Sequence, residues 1–100
     1  MPKPNLLAKY FDFANVLPEW QVNLDAQELE RVFVFQDFKS AFEFMRLSAD
    51  FAEKLDHHPD WSNAWNKVSV RLSTHSLGGL TELDITMAIA MDQFALKILA

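Results

Sequence analysis

Several residue types are scarce in this sequence, and each scarcity excludes a class of protein. There is no cysteine among the 100 residues, so disulfide bonds, thiolate metal sites and thiol nucleophiles are excluded. Two glycines and four prolines are too few for a collagen-like or low-complexity chain. No apolar run approaches the roughly 18 residues of a membrane span, and the N-terminal segment lacks a signal-peptide pattern. We therefore expect one soluble cytoplasmic domain that does not enter a membrane.

Positive charge is also sparse. The 9 Lys and Arg residues stand against 14 Asp and Glu residues, which gives a formal net charge of −5. The basic residues are scattered singly from Lys3 to Lys97, whereas binding to a phosphate backbone requires clustered positive charge. We therefore expect no nucleic-acid partner. Hydrophobic residues make up 50% of the chain and aromatic residues 13%, which excludes disorder and supplies one core.

The first third of the chain is predicted to form a helix and two strands. Apolar residues spaced three and four apart, ending at Leu17, predict a helix that begins at Pro4 and Asn5 and ends before Pro18. The apolar period then changes to two, which is typical of strands. The two strands, predicted as an antiparallel pair joined near Asp25 to Glu28, cover Trp20 to Asp25 and Leu29 to Gln36.

The rest of the chain is predicted to form helix, two strands and helix. Asp37 is a good N-cap for a long amphipathic helix that ends near Asp56. Asn66 and Lys67 indicate a two-residue turn between two further strands. The remaining predicted elements are a strand from Trp61 to Trp65, a strand from Val68 to Ser73, a loop from Thr74 to Leu80 and a helix from about Glu82 to Leu99.

This order of elements predicts the fold class. The order is α-β-β-α-β-β-α, and hairpins connect the strands, so the sheet is expected to be antiparallel. We predict an α+β fold in which three helices pack on one face of a four-stranded antiparallel sheet. No linker or composition shift divides the chain, so residues 1–100 are expected to form a single domain.

The three histidines are the main candidates for chemistry. Imidazole has an ordinary pKa of about 6.5, so it can donate and accept protons near neutral pH. His57 and His58 follow a predicted helix, and His75 follows the predicted fourth strand. Side chains at the ends of such elements can converge on a ligand.

Structural interpretations of the same residues stay open at this point. A histidine after a helix can simply hydrogen-bond the last carbonyl groups. Asp84 follows Thr81 at the spacing of a capping box for the last helix. Trp61 and Trp65 are typical of a core or sheet face, and ligand stacking is the less common outcome. Three histidines also suit zinc, but adjacent histidines rarely reach one metal, so we expect no metal site.

A dense motif runs through the second half of the chain. It consists of Glu53-Lys-Leu-Asp-His57-His58-Pro59, an aromatic residue at Trp65, then His75, and Gly79-Leu80-Thr81 before Asp84. This pattern resembles the signature of the pterin-4a-carbinolamine dehydratases, most densely from about Ala52 to Ala88. Before Phe38 the match is loose and depends mainly on Trp20. Trp65 stands where familiar members carry tyrosine, a conservative difference.

The resemblance implies an enzyme, 4a-hydroxytetrahydrobiopterin dehydratase. Such an enzyme converts 4a-hydroxytetrahydropterin into quinonoid dihydropterin and water, in the tetrahydrobiopterin recycling that follows aromatic amino-acid hydroxylation. A hydroxylase in the same pathway is therefore an implied partner. The reaction moves one proton to the departing hydroxyl and removes another from nitrogen, which histidines can do. The resemblance implies no cofactor and no metal.

The resemblance also implies roles for individual residues. His57 and His75 are candidate general acids, and His58 is expected mainly to hold the substrate. Asp84 is expected to accept a hydrogen bond from His75 and so to fix its tautomer. The residues expected to contact the pterin are His57, His58, Pro59, Thr74, His75, Ser76 and Leu77, those from Pro59 and Thr74 to Leu77 through backbone groups, with Trp20 and Glu53 as further candidates for the pocket.

A function from another class remains open. The family resembled includes a dimerisation cofactor of a homeodomain transcription factor, so the alternative is a non-catalytic protein-interaction scaffold. Members of that family form dimers and tetramers, and a small sheet has open edges that a second copy can pair with. We therefore expect a homodimer or homotetramer.

Overall fold

The computed structural model describes Leu7 and residues 11–99. In chain order its elements are α1 (Phe13–Val16), β1 (Gln21–Asn23), β2 (Glu28–Val34), α2 (Phe38–Leu55), β3 (Asp60–Ala64), β4 (Lys67–Leu72), a 3₁₀ helix (His75–Leu77) and α3 (Glu82–Leu99). The four strands form one antiparallel sheet. This architecture confirms the predicted α+β fold and its order of elements.

The first helix is shorter than the sequence predicted. It begins after Asp12, whose side chain accepts a hydrogen bond from the Asn15 N–H at 3.2 Å, as a helix N-cap does. Leu7 is described and is not helical, so the prediction of a continuous helix through this region was wrong. The predicted start at Pro4 lies outside the described residues.

The sheet is built from two hairpins joined at its centre. The strand order is β1-β2-β4-β3, so the hairpin β1–β2 meets the hairpin β3–β4 through pairing of β2 with β4. Leu29 lies opposite Leu72 and Phe33 opposite Val68 in that central pair. Because side chains alternate along a strand, one face of the sheet is apolar and buried while the other is open and mostly polar, with Val32 and Val34 exposed on it.

The buried face packs against α2 and α3. Phe44 on α2 packs against Phe33 of β2 and against Phe35, which directly follows β2. The ring centroid of Phe44 lies 4.6 Å from that of Phe33 and 5.1 Å from that of Phe35. Met87 and Met91 of α3 are fully buried in the same cluster. Burial of side chains of this size contributes about 1.5–3 kcal/mol each. The sheet and these two helices therefore form one rigid base for the loops at their ends.

Both ends of α2 carry local signals that fix its length. Asp37 accepts a hydrogen bond from the Ser40 N–H at 2.8 Å, which confirms the predicted N-cap. At the other end Asp56 adopts the left-handed conformation with φ 54°, and the His57 N–H donates to the Ala52 carbonyl at 3.1 Å. This cap turns the chain directly toward β3, so the histidine pair is presented at the end of the sheet.

The hairpin between β3 and β4 turns one residue earlier than predicted. The turn consists of Trp65 and Asn66, and Lys67 already pairs with Ala64 in the sheet. Trp65 is 63% exposed and lies in the turn, so the expectation of a core or sheet-face position was wrong for this residue. Asn63 favours the observed turn because its side-chain amide donates to the Trp65 and Lys67 carbonyls.

The last helix has the bounds that the sequence predicted. It runs over Glu82–Leu99 and buries an alanine- and methionine-rich face. Within the described part of the chain, no helix combines the length and apolar character that crossing a membrane would require.

Candidate active site

Four segment ends meet at one end of the sheet. The link between α2 and β3 carries His57 and His58, and the loop after β4 carries His75. Asp60 at the start of β3 lies opposite Arg71 near the end of β4, so the antiparallel register brings the two histidine-bearing segments together. The first turn of α3 adds Asp84 beneath them.

Asp84 is the structural centre of this arrangement. Its side chain is fully buried and carries three contacts. Oδ1 lies 2.6 Å from His57 Nε2, and Oδ2 accepts hydrogen bonds from Thr74 Oγ1 at 2.8 Å and from the Thr81 N–H at 2.9 Å. The contact with the Thr81 N–H is the capping interaction that the sequence indicated. Capping and histidine binding therefore coexist in one carboxyl group.

The pairing of Asp84 with a histidine differs from the prediction. The sequence-based expectation placed Asp84 beside His75, but the structure places it against His57. The reason lies in the packing of α2 against α3, which brings the end of one helix over the start of the other. His57 is consequently held under the loop that follows β4, with only 10% of its side chain exposed.

The other two histidines have separate, exposed partners. His58 Nε2 lies 2.6 Å from Glu53 Oε1, so Glu53 does lie beside the histidine pair. His75 Nε2 lies 3.0 Å from Ser73 Oγ. Both rings are therefore oriented by a contact at one nitrogen while the rest of the ring remains open to solvent.

The loop after β4 is closed by its own backbone. The Thr74 N–H donates to the Gly79 carbonyl at 3.1 Å, and the Thr74 carbonyl accepts from the N–H groups of Leu77 and Gly79. Gly78 sits in the left-handed region with φ 68°, which a glycine adopts without strain. Thr74 is buried, and its backbone and hydroxyl groups all form hydrogen bonds. It therefore supports the site from beneath. Contacts of a ligand with Thr74, Ser76 and Leu77 stay predictions.

A small cleft of about 100 Å³ opens between these segments. It brings together three of the residues predicted for the site with four that the sequence reasoning missed. The predicted residues are His58, Pro59 and His75; the others are Glu28, Asp60, Arg71 and Ser73. Charged and hydroxyl side chains on a strand face normally indicate solvent exposure, so their spacing gave no signal of a cleft.

The cleft adjoins a larger groove on the open face of the sheet. This sheet-face groove has a volume of about 530 Å³, and Asp60 and Arg71 line both cavities. The Arg71 guanidinium lies 3.1 Å from Asp60 Oδ2 at this junction. A ligand larger than the cleft therefore has room to extend past the Arg71–Asp60 pair.

Trp20 lies in the core and not in the cleft. It is 6% exposed, and its ring meets Phe33 edge-on at a centroid distance of 5.8 Å. Its indole N–H donates to Asp92 Oδ1 at 2.8 Å, and Arg31 Nη1 donates to the same oxygen at 2.6 Å. Burial raises the pKa of Asp92, and these two donors oppose the shift. In the structure Trp20 completes the core, and its contact with a ligand stays a prediction.

The three imidazoles do not converge on one point through their Nε2 atoms. Each of these nitrogens has a different partner, namely Asp84, Glu53 or Ser73. Among residue 7 and residues 11–99, no group of three or more histidine, aspartate or glutamate side chains has the arrangement of a metal site.

An antiparallel sheet backed by helices, with a histidine pair, a third histidine and a buried acid at one end, defines a small α+β domain with a candidate site at the end of its sheet. Comparison with known proteins gives the family. The family model for "Pterin 4 alpha carbinolamine dehydratase" matches residues 6–94. The chain therefore belongs to the pterin-4a-carbinolamine dehydratase family.

Individual relatives cover most of the chain. A protein of Bordetella avium (strain 197N), named "Putative pterin-4-alpha-carbinolamine dehydratase", is 52% identical over 79 residues, which is 79% of this chain and 73% of the relative. A relative of the same name from Rhizorhabdus wittichii is 45% identical over 84 residues, 84% of this chain and 87% of the relative. A crystal structure described as a transcriptional coactivator/pterin dehydratase from Brucella melitensis matches with a TM-score of 0.82 and 46% identity, over 91% of this chain and 99% of that one.

Proposed function

We propose that this chain catalyses the dehydration of a 4a-hydroxytetrahydropterin to quinonoid dihydropterin and water by histidine general acid and base catalysis. The observation that carries the proposal is the meeting of all three histidines at one end of the sheet, each oriented by a hydrogen-bonding partner. Membership of the pterin-4a-carbinolamine dehydratase family supports the choice of substrate.

The reaction requires two proton movements. The C4a–O bond breaks as the departing hydroxyl takes a proton and leaves as water. A C=N bond forms as the neighbouring ring nitrogen loses its proton. An imidazolium can supply the first proton, and a neutral imidazole or water can accept the second, since both forms of histidine coexist near its ordinary pKa.

The positions of the histidines fit a division of roles. His75 lines the cleft and is therefore proposed as a general acid. His57 retains 10% exposure of its side chain and is held by Asp84, which fits a second acid that is oriented by a carboxylate. His58 lines the cleft beside Pro59 and is proposed mainly to hold the pterin.

The proposal is tested by turnover of freshly generated 4a-carbinolamine, measured against the uncatalysed rate because this substrate also dehydrates without an enzyme. His57→Ala and His75→Ala are each expected to lose activity while they keep their helical signal by circular dichroism. Gln93→Ala, at an exposed position of α3, is the control and should keep full activity. Full activity in the double histidine variant would end the proposal.

A second experiment separates proton transfer from metal catalysis. We expect activity to survive exhaustive dialysis against a chelator, because the proposed proton transfers need only imidazoles. Loss of activity that zinc restores would favour a metal-dependent reaction instead.

We also propose that the chain forms a homodimer or homotetramer. In the described part of the chain, β1 and β3 each have a sheet partner on one side only, which leaves two edges that a second copy can pair with. Light scattering after size-exclusion chromatography should give a mass of two or four chains. A single-chain mass at micromolar concentration would contradict this proposal.

The alternative function is a protein-interaction scaffold. One observation favours it: the similar Brucella melitensis structure is described as both a coactivator and a dehydratase. Retention of all three histidines ranks the enzyme first, because a scaffold has no need of them. Capture of a specific protein partner by a variant without histidines, together with no pterin turnover by the parent chain, would reverse the ranking.

A further inference from the structure

A chain of hydrogen bonds beneath the cleft ends on His57. It runs from the Leu83 N–H to Thr81 Oγ1 at 3.2 Å, from Thr81 to Thr74 Oγ1 at 2.8 Å, and from Thr74 to Asp84 Oδ2 at 2.8 Å. We propose that Thr81 is a positioning residue, whose hydroxyl acts through Thr74 and Asp84 to hold His57 with a proton on Nε2. Nδ1 is then the nitrogen of His57 that exchanges protons.

The direction of every hydrogen bond in this chain follows from the donors available. A backbone N–H can only donate. The direction of the hydrogen bonds from the Thr81 N–H to Asp84 and from the Leu83 N–H to Thr81 Oγ1 is therefore fixed. Thr74 has one hydroxyl proton, which it donates to Asp84 Oδ2. Thr74 must therefore accept the proton of Thr81 Oγ1, and all donors point toward Asp84.

Burial keeps this direction fixed. Thr81 and Asp84 are fully buried, and Thr74 is 5% exposed. Water therefore does not compete for the hydroxyl groups, and a reversed hydroxyl would leave a buried donor or acceptor without a partner. Thr81 is not the hydrogen-bonding partner of His57, but its hydroxyl is the donor to Thr74 Oγ1. Removal of that hydroxyl therefore leaves Thr74 Oγ1 without the donor that orients it.

The consequence for His57 concerns its tautomer. Asp84 Oδ2 accepts two hydrogen bonds, which leaves Oδ1 to face His57 Nε2 at 2.6 Å. An ionised carboxylate only accepts hydrogen bonds, so in this arrangement the proton between Oδ1 and Nε2 belongs to Nε2. In the neutral ring Nδ1 is left as the acceptor, and in the charged ring it is the donor. The catalytic meaning of this tautomer rests on the proposed function, but the tautomer itself does not.

The experiment measures the tautomer and the turnover separately. Nitrogen-15 NMR of the histidine-labelled full chain reports which ring nitrogen carries the proton, without any substrate. The variants are Thr81→Val, which removes the hydroxyl at nearly the same shape, and Thr81→Ser, which keeps it. Thr86→Val is the control, at an exposed position of α3, the helix that follows Thr81.

We expect neutral His57 to show the proton on Nε2 in the wild type, in Thr81→Ser and in Thr86→Val. Thr81→Val should show a mixture of tautomers and a kcat roughly tenfold lower with KM unchanged, the lower end of the loss seen when a partner of a metal-ligating histidine is removed. Thr81→Val also removes a hydrogen bond to Leu83 and lowers stability, so the tautomer is the deciding measurement.

Two outcomes would overturn the inference. A proton on Nδ1 of neutral His57 in the wild type would contradict the assigned direction, and this needs no variant to fold. An unchanged tautomer in folded Thr81→Val would show that the hydroxyl has no positioning role. Absence of pterin turnover in the wild type would refute the proposed function, while the tautomer would still confirm or overturn the positioning role of Thr81.

Discussion

Replacement of Asp84 by asparagine makes a small chemical change and tests the centre of the site. Asparagine has the same shape, but one carboxylate oxygen becomes an NH₂ group. The Thr74 hydroxyl and the Thr81 N–H both donate to Oδ2, so the one oxygen that the asparagine side chain retains is required there. The NH₂ group then faces His57 Nε2, and the ring must lose its proton at that nitrogen to accept a hydrogen bond.

The size of the effect follows from what is lost. A buried hydrogen bond to a charged group contributes about 1.5–3 kcal/mol, and loss of the buried charge recovers part of that. We therefore expect Asp84→Asn to lower the free energy of unfolding by about 2 kcal/mol. For a domain of this length each kcal/mol changes Tm by about 4–8 °C, so Tm should fall by roughly 10 °C.

Urea unfolding and thermal unfolding measure this loss, and carbinolamine turnover measures its effect on activity. Glu82→Gln is the matched control, because it makes the same chemical change at an exposed position in the same helical turn. The control should change stability by less than about 0.5 kcal/mol and leave turnover unchanged. If Asp84→Asn and the control had equal stability and equal turnover, the proposed role of Asp84 in holding the site together would be refuted.

Three further predictions concern the fold. Ser48→Ala should raise the free energy of unfolding by about 1 kcal/mol, because Ser48 Oγ is buried without a hydrogen-bond partner in the described structure. Thermal unfolding measures this gain, and Thr86→Ala is the control because it changes helix propensity alone. Equal gains in stability from Ser48→Ala and Thr86→Ala would contradict the prediction. The Ser40 N–H holds the pKa of Asp37 below its ordinary value of 3.8. The Asp37 cap therefore stabilises the fold fully at pH 6, and this stabilisation is lost as the pH falls through the pKa of Asp37 in the folded state. The difference in free energy of unfolding between the wild type and Asp37→Ala should thus narrow between pH 6 and pH 3. A constant difference would refute this assignment. Trp65→Gly should stabilise the chain by about 0.5–1 kcal/mol, because glycine adopts φ 50° without a Cβ penalty; a lower Tm would show that the exposed indole contributes to stability.

The helices that carry strong local signals could be predicted from the sequence. Asp37 before an apolar stripe and the His57-His58-Pro59 run after it mark both ends of α2, and the structure gives Phe38–Leu55. The bounds of α3 were also predicted correctly. In these segments capping, helix propensity and the apolar period all indicate the same structure.

The hairpin turn could not be placed from local signals. A left-handed φ at Trp65 is unexpected, since tryptophan has a Cβ that disfavours it, and by composition Asn66 and Lys67 are the better turn pair. The position of the turn is set by the register of β3 with β4 and by the side chain of Asn63. Both are properties of the paired strands and not of the turn sequence.

The site was predicted as a set of residues and not as a set of contacts. The motif named the three histidines and Asp84, but the choice between His57 and His75 as partner of Asp84 depends on how α2 packs against α3. Arg71 and Asp60 went unnoticed because alternating charged residues on a strand are typical of a solvated face. Only the register of the strands shows that this charged pair joins the cleft to the sheet-face groove.

The most direct test of the account is the turnover of freshly generated 4a-carbinolamine by the wild-type chain, measured beside the uncatalysed rate and beside the variant that lacks both His57 and His75. Dehydration by the wild type well above the uncatalysed rate, with the double variant reduced to that rate, is the result predicted. A wild-type rate equal to the uncatalysed rate, or a double variant as active as the wild type, would contradict the assignment of proton transfer to these histidines.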